Sequence, residues 1–250
     1  MAAVDVNHRN RNLKVEILAG LIMMAIMKRA SQKMIHSWDL EPAQAAALQA
    51  ELARQVVRRS RQRMEDMATV AGIDAGYRKE TAYAAVVVVN LTDLQILETA
   101  TAAKPVSFPY VPGLLSFREG PAILEALDKL KSPPDLLIID GQGIAHPRRF
   151  GIASHIGLLT GIPSIGCAKT RLSGDYAEPQ PDRGSTAYLK ENGEILGAVV
   201  RTRTGVKSVF VSIGHLMDLK DSIRIILKSC RGYRLPEPIR WADQLSKKLI

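Results

Sequence analysis

Residues 136–146 read Leu136-Leu137-Ile138-Ile139-Asp140-Gly141-Gln142-Gly143-Ile144-Ala145-His146, and this stretch decides the fold. Four apolar residues, the last two β-branched, make a short strand with no polar face, as expected of a strand covered on both sides. Asp140 stands where that strand stops, and Gly141 and Gly143 let the backbone turn sharply or approach a ligand closely. Open α/β sheets place their sites at the carboxyl ends of such strands. Taken alone, an Asp-Gly pair reads better as an Asx-turn; a functional reading needs partners from elsewhere in the chain.

The chain has 250 residues, 46% hydrophobic and 24% charged, which is ordinary for a globular protein of one sizeable domain. Its net charge of +9 favours an anionic partner, nucleic acid before an anionic membrane, over a merely basic enzyme. Cys167 and Cys230 are the only cysteines, too few for a disulfide framework or a zinc site, and they fit a reducing, cytoplasmic setting. Residues 1–33 differ from the rest: a polar, basic start leads into 11 apolar residues, Ile17 to Met27, then Lys28-Arg29. Such a run is too short to span a bilayer, which takes about 20 residues. We read residues 1–33 as an N-terminal extension outside the fold and residues 34–250 as the one folded domain.

Outward from the central strand, the pattern predicts a helix over Asp39 to Arg59 ending in Arg54, Arg58, Arg59, Arg61 and Arg63, a basic end equally suited to solvent and to phosphate. Val70 to Asp74, Ala82 to Asn90 and Leu94 to Thr101 predict three antiparallel strands. Asp74 then projects from the middle of a meander, where a buried carboxylate without a cation is costly. Phe108-Pro109-Tyr110-Val111-Pro112-Gly113 is a stiff loop that presents an aromatic. A loop aromatic normally packs on its own domain, but on a rigid turn it can also wedge into a base step. Leu115 to Lys131 predicts a helix with Glu119 in its first turn, a place the helix dipole alone explains. A helix over Ile152 to Thr160 and a strand from Ser164 to Cys167 follow, then Lys169. Further strands are expected over Thr186 to Leu189, Ile195 to Arg203 and Val206 to Ile213, then a helix over Met217 to Ser229 and a basic, proline-containing tail from Arg231.

The element order, with Asp74 on the first strand, Glu119 on the following long helix and Asp140 at the end of the fourth strand, resembles the ribonuclease H-like nucleases. The expected fold is therefore α/β, a mixed sheet of three antiparallel strands and then parallel ones, flanked by helices. Five ordered blocks are similar to endonuclease V: Asp74-Ala-Gly-Tyr77; Pro109 to Glu119; Asp140 to Gly151; Ala168-Lys169; and Ser212 to His215 with a tail from Tyr233 to Asp243. The similarity runs from about Ser37 to the C-terminus.

That resemblance implies an endonuclease acting on inosine, deaminated adenine, in DNA and as an alternative in RNA, and cutting the second phosphodiester bond 3′ to the lesion. It implies Asp74, Glu119 and Asp140 as the metal site, for Mg²⁺ or alternatively Mn²⁺. His215 would orient water or the phosphate, and Lys169 would offset phosphate charge. Tyr110, with Pro109, Val111 and Pro112, would be the wedge. The flipped base would sit among Gly113, Leu115, Gly141, His146 and Ile152, where backbone amides can read the carbonyl that hypoxanthine offers in place of adenine's amino group. The chemistry of the donor set agrees, because Mg²⁺ takes oxygen ligands and crowded carboxylates repel unless a cation joins them. No stable protein partner and no membrane are implied. A nuclease for branched or hybrid duplexes leaves the proline-flanked tyrosine unexplained, and a non-catalytic nucleic-acid binder leaves the three acids unexplained. A membrane-surface protein using residues 14–29 explains neither.

Overall fold

In the computed structural model, which describes residues 36–250, the valine-rich runs pair into one mixed sheet. β1 (Thr69–Arg78), β2 (Thr81–Asn90) and β3 (Ile96–Pro105) form an antiparallel meander. β4 (Leu136–Ile139) lies parallel to β1, and β5 (Ser164–Ala168) parallel to β4. β6 (Thr186–Glu191), β7 (Glu194–Val200) and β8 (Val209–His215) are antiparallel, with β8 against β5. The order across the sheet is β3-β2-β1-β4-β5-β8-β7-β6. The mixed α/β sheet expected from the sequence is the sheet that forms.

Alternation along the strands divides the core between two faces. Val70, Val87, Leu136, Ile138 and Ile165 face one side, covered by α4 (Leu219–Lys228) and α5 (Glu237–Lys247) through Ile225, Ile226, Ile239 and Ala242. Ala71, Ile73, Val86, Leu137 and Ile139 face the other, covered by α2 (Leu115–Asp128) and α3 (Ile152–Thr160) through Ile123, Ala126, Ala153 and Ile156. The central strand is thus buried on both faces, as its composition requires. Gly72 in β1 is where α5 comes closest: a Cβ there would lie 2.1 Å from the backbone of Pro238. A smaller aromatic cluster, with Phe108, Leu114 and Phe117, joins α1 (Pro42–Leu52) to the start of α2.

Three expectations need correction. The first helix is shorter than Asp39 to Arg59: Glu41 is its cap, through a capping box with Gln44, and the chain leaves it after a 3₁₀ turn at Ala53–Gln55. Tertiary contacts end it, since Val57 donates its N–H to His215 Nδ1 and accepts from the N–H of Leu216. β1 does not stop at Asp74 but runs on to Arg78 because β2 pairs with it throughout. The tail, read only as basic and proline-containing, holds a further helix: Pro236, Glu237 and Pro238 open α5, prolines being acceptable where helix N–H groups have no partner. The extension expected over residues 1–33 lies outside the described residues. Among the described residues, no helix is long and apolar enough to cross a membrane.

Candidate active site

Parallel pairing places two acids side by side. Ile73 and Ile139 are partners across β1 and β4, and the N–H of Asp140 donates to the carbonyl of Ile73, so Asp74 and Asp140 follow at adjacent points of neighbouring strands. A third acid, Asp243, reaches them from α5, the helix that Gly72 admits against the sheet. One carboxylate oxygen from each of Asp74, Asp140 and Asp243 lies within 4.8 Å of the other two. Ser246, one turn further along α5, donates its hydroxyl to Asp74 at 2.6 Å. Lys169, just past β5, sets its ammonium 2.6 Å from Asp140 and 3.6 Å from Asp243.

Crowding shows in the electrostatics. Burial pushes the Asp74 carboxyl up to about 6, and the charges of Asp140 and Asp243 add to the effect. Burial would lower the Lys169 ammonium, but its contacts with Asp140, Asp243 and Asp74 outweigh it and the net shift is upward. Glu119 on α2 stands outside the trio. Its carboxyl is buried and pushed up to about 8, first by burial, with the charges of Asp74 and Asp140 adding to it. Three partly buried oxygens converging on one point, with Lys169 against Asp140 and Asp243 and the exposed Lys247 2.6 Å from the other oxygen of Asp243, are a hard-cation donor set. A divalent ion fits there.

Next to the acids lies a cleft of about 390 Å³ lined by Tyr110, Val111, Pro112, Gly113, Leu115, Asp140, Gly141, His146, Ile152 and Lys169. Ten residues singled out in the sequence therefore share one cavity, from three separate stretches of chain. Tyr110 is 71% exposed at its rim. Val111-Pro112-Gly113-Leu114 is a type II turn: the Leu114 N–H donates to the Val111 carbonyl at 2.9 Å, and Gly113 has φ +81°. His146 is buried, which pushes its imidazole down to about 4, so the ring is neutral at pH 7. Gln49, Ser116, Gln142, Thr170, Arg171 and Leu172 also line the cleft.

The structure does not bring His215 to the acids. His215 pairs with Ser164 at the start of β5, whereas Ala168, next to Lys169, pairs with Phe210. At about 3.3 Å per residue, this separates His215 from the acidic end by roughly 13 Å along the sheet. It serves instead as an acceptor for the backbone of Val57. Asp243 takes the place by the acids that was expected of His215. The sequence carried a signal for it, in the Pro-Glu-Pro start and the buried Ile239, Ala242 and Ser246 at helical spacing.

Known proteins share both the sequence and the fold of this chain. The endonuclease V family model matches residues 50–244. Endonuclease V of Methanothrix thermoacetophila is 50% identical over 214 residues, covering 86% of this chain and 94% of its own. The crystal structure of endonuclease V from Streptomyces avermitilis superposes with a TM-score of 0.81 at 43% identity, over 85% of this chain and 94% of that one. Endonuclease V of Ciona intestinalis, solved with a 24mer DNA containing an inosine followed by a ribo-adenosine, gives a TM-score of 0.72 at 27% identity, over 83% of this chain and 96% of that one. A family match over most of the chain, joined to an acidic trio beside a turn-walled cleft, means that this chain belongs to the endonuclease V family.

Proposed function

We propose that the chain is a cytoplasmic, Mg²⁺-dependent endonuclease of DNA repair, with residues 34–250 as its catalytic domain. It recognises inosine in nucleic acid and hydrolyses the second phosphodiester bond 3′ to it, leaving a 3′-hydroxyl and a 5′-phosphate. The observation that carries this reading is that Asp140 belongs to both halves of the site. It is one of the three convergent acids and also lines the cleft. A base held in the cleft therefore fixes its own strand relative to the acids.

Asp74, Asp140 and Asp243 would hold the ion, Mg²⁺ or alternatively Mn²⁺; Glu119, whose buried carboxyl feels the charges of Asp74 and Asp140, is kept as the fourth acid. Bound there, a divalent ion supplies charge stabilisation at the phosphate and a more acidic water. The chain's own groups do the rest. Lys169 sets a positive charge against phosphate oxygens once the acids are otherwise neutralised. Ser246 holds the Asp74 carboxylate in one orientation. Tyr110, on its proline-flanked turn, fills the gap left by the displaced base, and Gly113, Leu115, Gly141, His146 and Ile152 surround that base. His215 is given no part in the chemistry.

The strand bound by the Ciona relative carries a ribonucleotide after the inosine, which favours a second reading in which RNA is cut as well. Matched DNA and RNA strands, each with inosine or adenine at one position, should be incubated with and without Mg²⁺. Cleavage confined to inosine strands in the presence of the ion is the expected outcome. Equal cutting of undamaged strands, or cutting that persists in a chelator, would sink the reading.

A further inference from the structure

The cleft has a back wall that the catalytic reading leaves unused. Gln49, on α1, is 1% exposed, and every polar atom of its side chain is engaged. Its amide nitrogen donates to the carbonyls of Gly113 and Phe150, both at 3.0 Å. Its amide oxygen accepts from Arg148 Nε at 2.6 Å. The same Arg148 extends Nη2 to the Gly113 carbonyl at 3.0 Å. His146 completes the group: the backbone N–H of Arg148 donates to its Nδ1, so the proton of the neutral ring sits on Nε2, which donates to Gly113 at 2.9 Å.

Three side-chain donors therefore converge on one carbonyl, that of Gly113. This residue sits at the left-handed position of the Val111–Leu114 turn, and a Cβ there would lie 2.9 Å from Arg148. The carbonyl fixes the plane of the peptide that joins Gly113 to Leu114, and with it the path of the segment from Tyr110 to Leu115. Only a primary amide can do what Gln49 does, accepting from a guanidinium while donating to two carbonyls. The pair links three stretches far apart in sequence: α1, the wedge turn, and the loop after β4.

We propose that Gln49 and Arg148 are positioning residues for base recognition, an amide–guanidinium pair that locks the Val111–Leu114 turn and so sets the distance between the wedge and the wall of the base cleft. They touch neither the acids nor the reacting bond. Their contribution is to discrimination between bases, because a turn free to shift no longer presents its backbone at one distance from the base. The inference rests on the inosine reading above.

Gln49→Glu tests it with little change in volume. A carboxylate still accepts from Arg148 but cannot donate, and it turns an oxygen toward the carbonyls of Gly113 and Phe150. Arg148→Lys keeps the charge and loses the fork that reaches Gln49 and Gly113 together. Each variant is assayed on inosine and adenine strands under single-turnover conditions, with metal half-saturation measured alongside. Each should lower the inosine-over-adenine ratio about 10- to 100-fold, the scale of a buried hydrogen bond to a charged partner. The loss should fall on KM, with metal half-saturation unchanged. The double variant should lose little more than either single one, since both act on the same turn. A uniform loss on both strands with the ratio intact would overturn the proposal and make Arg148 a plain phosphate contact. Additive losses would overturn the coupling. If Gln49→Glu unfolds, the ratio for Arg148→Lys, whose side chain is only partly buried, decides alone. A wild-type protein with no inosine preference would instead refute the inosine reading, and the two failures are thereby told apart.

Discussion

The two halves of the site are built on opposite physical terms. At the acidic end, three carboxylates are forced together by strand pairing and a close-packed helix, and their repulsion is only partly relieved by Lys169, the exposed Lys247 and Ser246. At the base cleft, Gly113 receives three donors and His146 is held to one tautomer. The first region is under-satisfied and gains from an added cation; in the second, the turn carbonyl of Gly113 and its three donors are paired before any ligand arrives. Catalysis of phosphate hydrolysis calls for the former, since charge must be stabilised as it develops. Discrimination calls for the latter, because a pocket that adapts cannot reject a near-isostere.

The largest break in this comparison should come at the acidic end. Asp140→Ala removes one of the three convergent oxygens and should lower cleavage about a thousandfold or more, given the several kcal/mol that a bound cation supplies to a phosphoryl transition state. Binding to an inosine strand, which uses the cleft, should persist. Asp243→Ala should behave alike, as an equal member of the trio. Rapid Mg²⁺-dependent turnover by purified Asp140→Ala protein would remove Asp140 from the metal site; wild-type turnover by Asp243→Ala would return the third place to Glu119.

An intermediate effect is expected at the rim. If Tyr110 replaces stacking lost when the base leaves a duplex, Tyr110→Ala should weaken binding to an inosine duplex by about 1–3 kcal/mol, or roughly 5- to 150-fold. Single strands should lose less, because no gap has to be filled. Its 71% exposure means that the melting temperature should hardly move. Equal losses on duplex and single strand, with a lowered melting temperature, would make Tyr110 a packing residue instead. The nuclease centre would be untouched by that result.

These two regions also differ in how far the sequence discloses them. The central strand was legible because Leu136 to Ile139 has no polar face, and Asp140 because a carboxylate closes that run. The cleft was legible because Pro112-Gly113 leaves the chain one turn to adopt. Asp243 was legible only as the end of the tail block; its place among the acids was not, because that depends on a helix that prolines disguise and that packs against Gly72, some 170 residues earlier in the chain. His215 misled for the converse reason. The resemblance of Ser212 to His215 to a family block implied a place at the site, and only the antiparallel register of β8 against β5 shows that His215 lies at the far end of the sheet. Gln49 gave no signal at all, since one glutamine in an alanine-rich helix is unremarkable until its three partners are in view.

The smallest effect should be the most discriminating between the two halves, and it concerns pH. Burial pushes the His146 imidazole down to about 4, while an unfolded histidine titrates near 6.5. The neutral ring therefore contributes stability that is fully present above pH 6.5 and is lost as pH falls toward 4. At pH 5.5 a group with a pKa of about 4 is only about 3% protonated, whereas an ordinary histidine would be about 90% charged. Protonation of Nδ1 would take away the acceptor for the Arg148 N–H and set a second N–H against it, forcing the ring from its place even though Nε2–H can still donate to Gly113. Absolute rates will change over this range as the acids titrate, but both substrates use the same acids. The ratio of kcat/KM on inosine and adenine strands cancels that change. It should stay constant to within about twofold between pH 7.5 and pH 5.5. A ratio that falls with a midpoint near 6.5 would mean that His146 is charged in the working enzyme, and the contrast between a finished cleft and an unfinished metal site would fail at its central residue.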